Sequence, residues 1–194
     1  MAWFNKLTRQ IIKLSCLGIV LSSHSAALYG TTVEFRADIA YAGACEISFP
    51  NEVVFNHGKP ILPTEIEAQL PVTTEAFNLT LTKCQGFGFT PRITLIGEST
   101  AAYGDAMFFD SIGSTAMGYG ILLKFQGNEY FQPNEDLAAN REILVIENWD
   151  IKTPLSLLNG TLPIKAILSC GNCSKEERVG GELKANVTFD FQYD

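Results

Sequence analysis

The stretch that decides the fold is Gly181-Glu182-Leu183-Lys184-Ala185-Asn186-Val187-Thr188-Phe189-Asp190-Phe191-Gln192-Tyr193-Asp194. Val187, Phe189, Phe191 and Tyr193 alternate with Thr188, Asp190, Gln192 and Asp194. A period of two sends successive side chains to opposite faces of an extended chain, whereas a helix brings together residues three or four apart. The pattern therefore predicts a strand over 183–193 with one face in a core and the other in water.

The same signature recurs upstream. Val33, Phe35, Ala37, Ile39 and Tyr41 alternate with Glu34, Arg36, Asp38 and Ala40, and Phe77, Leu79 and Leu81 with Asn78, Thr80 and Thr82. Further strands are expected over 46–49, 92–96, 119–125, 143–147 and 162–168, separated by turn formers such as Asn51, Gly97, Gly127, Pro133, Asn159 and Gly160. No window of helical length after Ala27 carries a 3.6-residue apolar period. The reading is all-β, with seven or eight short strands suited to an immunoglobulin-like sandwich. Residues 98–117, rich in Gly, Ala, Ser and Thr, read as a long connection with room for a short helix. No repeat or composition break marks a second domain.

At 194 residues, 46% hydrophobic and 18% charged, the chain can bury a substantial core and is too apolar for a disordered segment. Its formal charge of −7 and pI near 4.9 argue against binding of nucleic acid. The N-terminus carries Lys6, Arg9 and Lys13, then the apolar run 14–21, then Ser25, Ala26 and Ala27. That order predicts a signal peptide over 1–27. The run is far shorter than the roughly 20 residues a membrane-spanning helix needs. Cys16 lies inside it without a lipoprotein cleavage box and is expected to be lost. Removal takes away three positive charges and no acidic ones, moving the formal charge from −7 to −10.

Cys45, Cys84, Cys170 and Cys173 then remain, an even number in a chain addressed to an oxidising compartment, so disulfides are expected. Three connectivities are possible; pairing Cys45 with Cys84 as a long clamp is favoured. For Cys170 and Cys173 a local bridge bracing a hairpin competes with redox chemistry, which needs a stabilised thiolate, usually at a helix N-terminus. Here the pair follows a strand.

Nothing else points to catalysis. His57 is the one histidine after residue 27, which excludes a two-His zinc site. It lies in a turn-like stretch, and the chain has no nucleophile elbow. The glycines of 85–89 and 118–120 complete no phosphate-binding pattern. Glu147 with Asp150, and Glu176 with Glu177, read as solvated faces. No enzyme activity, cofactor or metal is expected.

Taken together, the leader, the alternating N-terminal segment, the Cys45–Cys84 spacing and the C-terminal pattern resemble a pilin subunit of the chaperone-usher pathway, the type 1 fimbrial family. The most specific part is the end, where Gly181 stands fourteenth from the C-terminus and Tyr193 is penultimate. With Val187, Phe189 and Phe191 these look like the family's chaperone-recognition motif. Cys45 and Cys84 match its disulfide between the first two strands, and Gly118-Tyr119-Gly120-Ile121 resembles its central strand. Cys170 and Cys173 depart from the common pattern.

The resemblance implies an incomplete immunoglobulin-like sandwich lacking its last strand, over 40–194. It implies an N-terminal donor strand over 28–39, with Tyr29, Thr31, Val33, Phe35 and Ala37 as its groove-filling face. The bland counterpart is a first strand paired within its own chain. The implied partners are a periplasmic chaperone, pairing beside the C-terminal strand and anchoring Asp194, an outer-membrane usher, and other pilin subunits; no small-molecule substrate is implied. The implied location is a fimbrium on the cell surface, reached through the periplasm, and the implied role a shaft or adaptor subunit contributing to adhesion. A chain-terminating subunit is a variant of this reading. The rivals are a single-domain adhesive or carbohydrate-binding module, with a site in 98–117 near Tyr103, Phe108, Phe109 and Asp110, and a periplasmic thiol-redox protein using Cys170 and Cys173.

Overall fold

The computed structural model describes residues 34, 36, 43–174 and 178–194. The chain divides into Met1–Asp38, of which Glu34 and Arg36 alone are described, and a compact unit, Ile39–Asp194. The signal peptide and the donor face of Tyr29, Thr31, Val33, Phe35 and Ala37 lie outside the described residues.

Among the described residues the compact unit holds nine strands: β1 (Ala44–Ser48), β2 (Thr74–Gln85), β3 (Pro91–Gly97), β4 (Ser99–Thr100), β5 (Met107–Phe108), β6 (Gly120–Phe125), β7 (Glu142–Leu144), β8 (Gly160–Ser169) and β9 (Val187–Tyr193). They form two antiparallel sheets, one in the order β1-β2-β8-β6-β5-β4 and one in the order β7-β3-β9. The molecule is an all-β, immunoglobulin-like sandwich.

The two faces meet in one core. Leu79 and Leu81 of β2, Leu123 and Phe125 of β6 and Leu162, Ile164 and Ala166 of β8 pack against Ile93 and Leu95 of β3, Ile143 of β7 and Phe189 of β9. These residues hold alternate positions, as the period-two pattern requires. Part of the outer face of the large sheet is also covered. The β1–β2 connection holds a short helix, α1 (Pro63–Glu67), which packs against β8. Ile66 there joins Tyr119 and Cys170 in a second small cluster. Among the described residues no helix is long and apolar enough to cross a membrane.

Two expectations need correction. Residues 98–117 hold no helix; they hold β4 and β5, which pair through Ser99↔Phe108 and Thr100↔Met107, with Met107 and Phe108 fully buried. The apolar pair drives the segment into the core as an added edge of the large sheet. The last strand begins at Val187, not at 183, because its partner β3 ends opposite it at Gly97. Before that point the chain bonds to 110–117 instead. Asp110 N donates to Lys184 O (2.7 Å), Ala116 N to Glu182 O (3.0 Å), and Met117 and Val179 exchange both backbone bonds.

Candidate functional site: a seam between two edge strands

Each sheet ends on a strand with one unpaired edge. Among the described residues β1 pairs only with β2, and β9 only with β3. The two lie beside each other with no ladder joining them. Between them run apolar side chains that the core does not fully enclose. Ile47 from β1, Phe77 from β2, and Val187 and Phe191 from β9 are half-buried and pack on the core. Phe49 remains 38% exposed while Phe189 is 7% exposed, their ring centroids 5.4 Å apart. Phe77 meets Phe189 at 6.1 Å, and Phe89 meets Tyr193 at 4.8 Å. This is an aromatic-lined seam flanked by backbone donors and acceptors, a geometry able to receive an extended strand.

The structure places Val187, Phe189, Phe191 and Tyr193 on the inner face of β9, at the seam. The rim supplied by Ile47, Phe49, Phe77 and Phe89 was not singled out from sequence, although Cys45, Ile47 and Phe49 carry the period-two signal. Asp194 continues the ladder beyond Tyr193 by exchanging backbone bonds with Thr90 (3.0 and 3.1 Å). Its carboxylate pairs with the Arg92 guanidinium. Gly181 lies away from the seam, against 115–116. A Cβ there would stand 2.6 Å from Thr115 Oγ1 and 2.8 Å from the Ala116 nitrogen, so glycine is what lets the backbones approach.

Disulfides join Cys45 to Cys84 and Cys170 to Cys173. The first ties β1 to β2 across a bulge. Leu79 and Leu81 face inward, so strict alternation would bury Lys83; instead Lys83 adopts φ 53° and Cys84 takes the inward position, 4% exposed. Lys83 Nζ is left outside, 2.9 Å from Glu46. The Cys84 amide donates to Asn159 Oδ1 at 2.9 Å.

The second disulfide does not brace a hairpin. It stands where the chain leaves β8 in one sheet for β9 in the other. Cys170 is 1% exposed in the small cluster, and the Asn172 amide donates to Tyr103 O, pinning the β4–β5 turn. Arg178 follows, donating to Glu67 at 2.6 Å; that hydrogen bond raises the guanidinium above its ordinary value, against a smaller opposing effect of burial.

His57 is exposed in a tight turn, Phe55–Gly58, where it and Asn56 adopt left-handed backbone angles, φ 53° and 47°. No group of three or more metal-ligating side chains occurs among the described residues. In 98–117 the Asp110 carboxylate is engaged by Ile112 N (3.0 Å), Gly113 N (2.8 Å) and Asn186 Nδ2 (2.9 Å), which leaves it a turn-forming role.

The chain matches no protein-family model and no curated protein. Among solved structures, the P pilus rod subunit PapA is similar to it, at 16% sequence identity, with a TM-score of 0.48, over 84% of this chain and 100% of that one.

Proposed function

We propose that this chain is a non-catalytic structural subunit, shaft or adaptor, of a surface fimbria. In this reading it polymerises by donor-strand exchange after a periplasmic chaperone delivers it to an outer-membrane usher. The observation that carries the reading is the seam between β1 and β9, where core side chains stay half-covered beside two unpaired edges. Left open, such a surface would aggregate. A strand laid between β1 and β9 would gain main-chain hydrogen bonds, and its alternate side chains would enter the apolar gap. The segment 28–39 of another copy has the required period, with Tyr29, Thr31, Val33, Phe35 and Ala37 on one face. The chaperone would fill the same place first, alongside Val187, Phe189, Phe191 and Tyr193, holding the chain at Asp194. Passage through the periplasm, guided by the leader 1–27, fits the paired cysteines. At the cell surface the assembled fibre would serve adhesion.

The test is thermal unfolding of the oxidised 41–194 unit with and without a synthetic peptide of residues 28–40. At a hundredfold excess over its Kd the peptide should raise the midpoint by about 5–10 °C. Aspartate at Val33 and Phe35 of the peptide should abolish the rise. A 41–194 unit that is monomeric, stable and indifferent to the peptide would remove the reading.

A further inference from the structure

We propose that the end of the sandwich at which the chain enters β1 is a docking face for the next copy in the fibre, and that it seats on the 110–117 loop of that copy. The contact rests on strand exchange and extends it from the strand to the bodies the strand connects. Gly43 enters beside Phe89 and Leu155, so close that a Cβ on it would stand 2.6 Å from Leu155. At the same end the loop 86–88 is fastened to 151–155, Gly88 N donating to Ile151 O (2.6 Å) and Leu155 N to Gly86 O (2.9 Å). Phe87 lies between those two bonds and is 73% exposed; Ile151, and Leu157 in the turn Leu155–Leu158, are half exposed. Single apolar side chains on a surface are ordinary, but three gathered on adjoining loops mark an interaction surface.

The length of chain ahead of Gly43 names the occupant. With the donated strand ending at residue 39, only residues 40–42 join it to Gly43. Fully extended chain covers at most about 14 Å over that interval. Whichever copy takes 28–39 into its seam is therefore held against this end of the donor, over Phe87, Ile151 and Leu157.

The seam has two ends, and continued growth decides between them. At one end Tyr193 meets Phe89, beside the acceptor's own Gly43. A donor body placed there would set the two patches against each other, and such a self-complementary contact stops at a dimer. A fibre needs a head-to-tail contact, so the donor body sits at the other end, where β9 begins at Val187. The donated strand then runs antiparallel to β9, the longer rim at seven residues against five for β1. The loop 110–117 stands at that end, tied to the approach to β9 by Asp110 N on Lys184 O (2.7 Å) and Asn186 Nδ2 on Asp110 Oδ2 (2.9 Å). Ile112 in this loop is 96% exposed. Setting Phe87, Ile151 and Leu157 of one copy on Ile112 of the next takes both apolar surfaces out of water.

The experiment is hydroxyl-radical footprinting of the oxidised chain without its leader, residues 28–194, in two states. One is self-assembled; the other is held as single copies by the 28–40 peptide at about a hundredfold above its Kd, which fills every seam. On assembly, oxidation of Phe87 and Ile112 should fall about threefold or more relative to the single copies, as both leave water for the core of an interface. The double substitution Phe87→Ser/Ile151→Ser, at exposed positions, should leave the affinity for the peptide unchanged. It should release copies from the assembled chain about tenfold faster, since interface substitutions act chiefly on dissociation. Equal labelling in the two states, protection of Phe87 without protection of Ile112, or unchanged release from the double variant would overturn the proposal while strand exchange stood. A chain that binds the peptide yet stays single without it would also overturn the proposal alone. One that neither assembles nor binds the peptide would remove both.

Discussion

Lys83 holds a conformation that sequence preference would not choose. Its φ of 53° lies in the left-handed region, where a side chain costs about 1–2 kcal/mol. The residue is there because the bulge must turn Cys84 inward. Lys83→Gly relieves the strain but gives up an exposed ion pair with Glu46 and adds freedom to the unfolded chain, so its net effect should stay within about 1 kcal/mol. Lys83→Val should cost about 1–3 kcal/mol, because a branched side chain tolerates that region poorly. Urea unfolding of the two variants checks the contrast. Gly181 poses the opposite case, close approach in place of unusual φ. Gly181→Ala must push against the backbone at 115–116 and should lower stability by about 1–3 kcal/mol in the isolated chain, with no partner present. An unchanged midpoint would show that the backbone at 115–116 gives way to a methyl group without cost.

At the scale of elements, Asn159 shows how a bulge is sealed. Cys84 is displaced from the ladder, and its amide is taken up by Asn159 Oδ1, while Asn159 Nδ2 donates to Ser156 O at 2.8 Å. One side chain thus joins the end of β2 to the turn preceding β8. Asn159→Ala leaves the amide without a partner and should cost about 1–3 kcal/mol, measurable as faster hydrogen exchange at Cys84 and a lower midpoint. The elements that were legible in the sequence are β1, β2, β3, β6, β7, β8 and β9, each carrying at least three residues of strand pattern bounded by turn formers. Strands of two residues such as β4 and β5 have no period to show, and only the burial of Met107 and Phe108 makes them strands. The start of β9 was misplaced because alternation says nothing of where a partner strand ends. The inner face of β9 was readable as one local pattern. The facing rim of the seam was not, since it gathers Ile47, Phe49, Phe77 and Phe89 from separate segments of the chain.

For the whole molecule, the Cys45–Cys84 bridge is a covalent constraint set into the core itself. It spans 39 residues, and closing a loop of that length stabilises by about 3–4 kcal/mol in the chain-entropy treatment. The double substitution Cys45→Ser/Cys84→Ser should lower the free energy of unfolding by that amount, a large share of the 5–15 kcal/mol typical of a domain. The same bridge holds β1, one rim of the seam, against β2, so its loss should also weaken strand-peptide binding at a fixed temperature.

The pairing of β9 with β3 has a consequence in time. Thr94 and Asp190 are partners although 96 residues separate them, and β9, the last of the described strands, completes the sheet that β3 and β7 begin. Topologies dominated by such distant pairings fold on the scale of milliseconds to seconds, and aggregation competes throughout that interval. Until β9 docks, the inward faces of Ile93 and Leu95 have no cover from its side. The interval before the sheet closes is when the core of this chain is most open to aggregation, and the docking of β9 is what ends it.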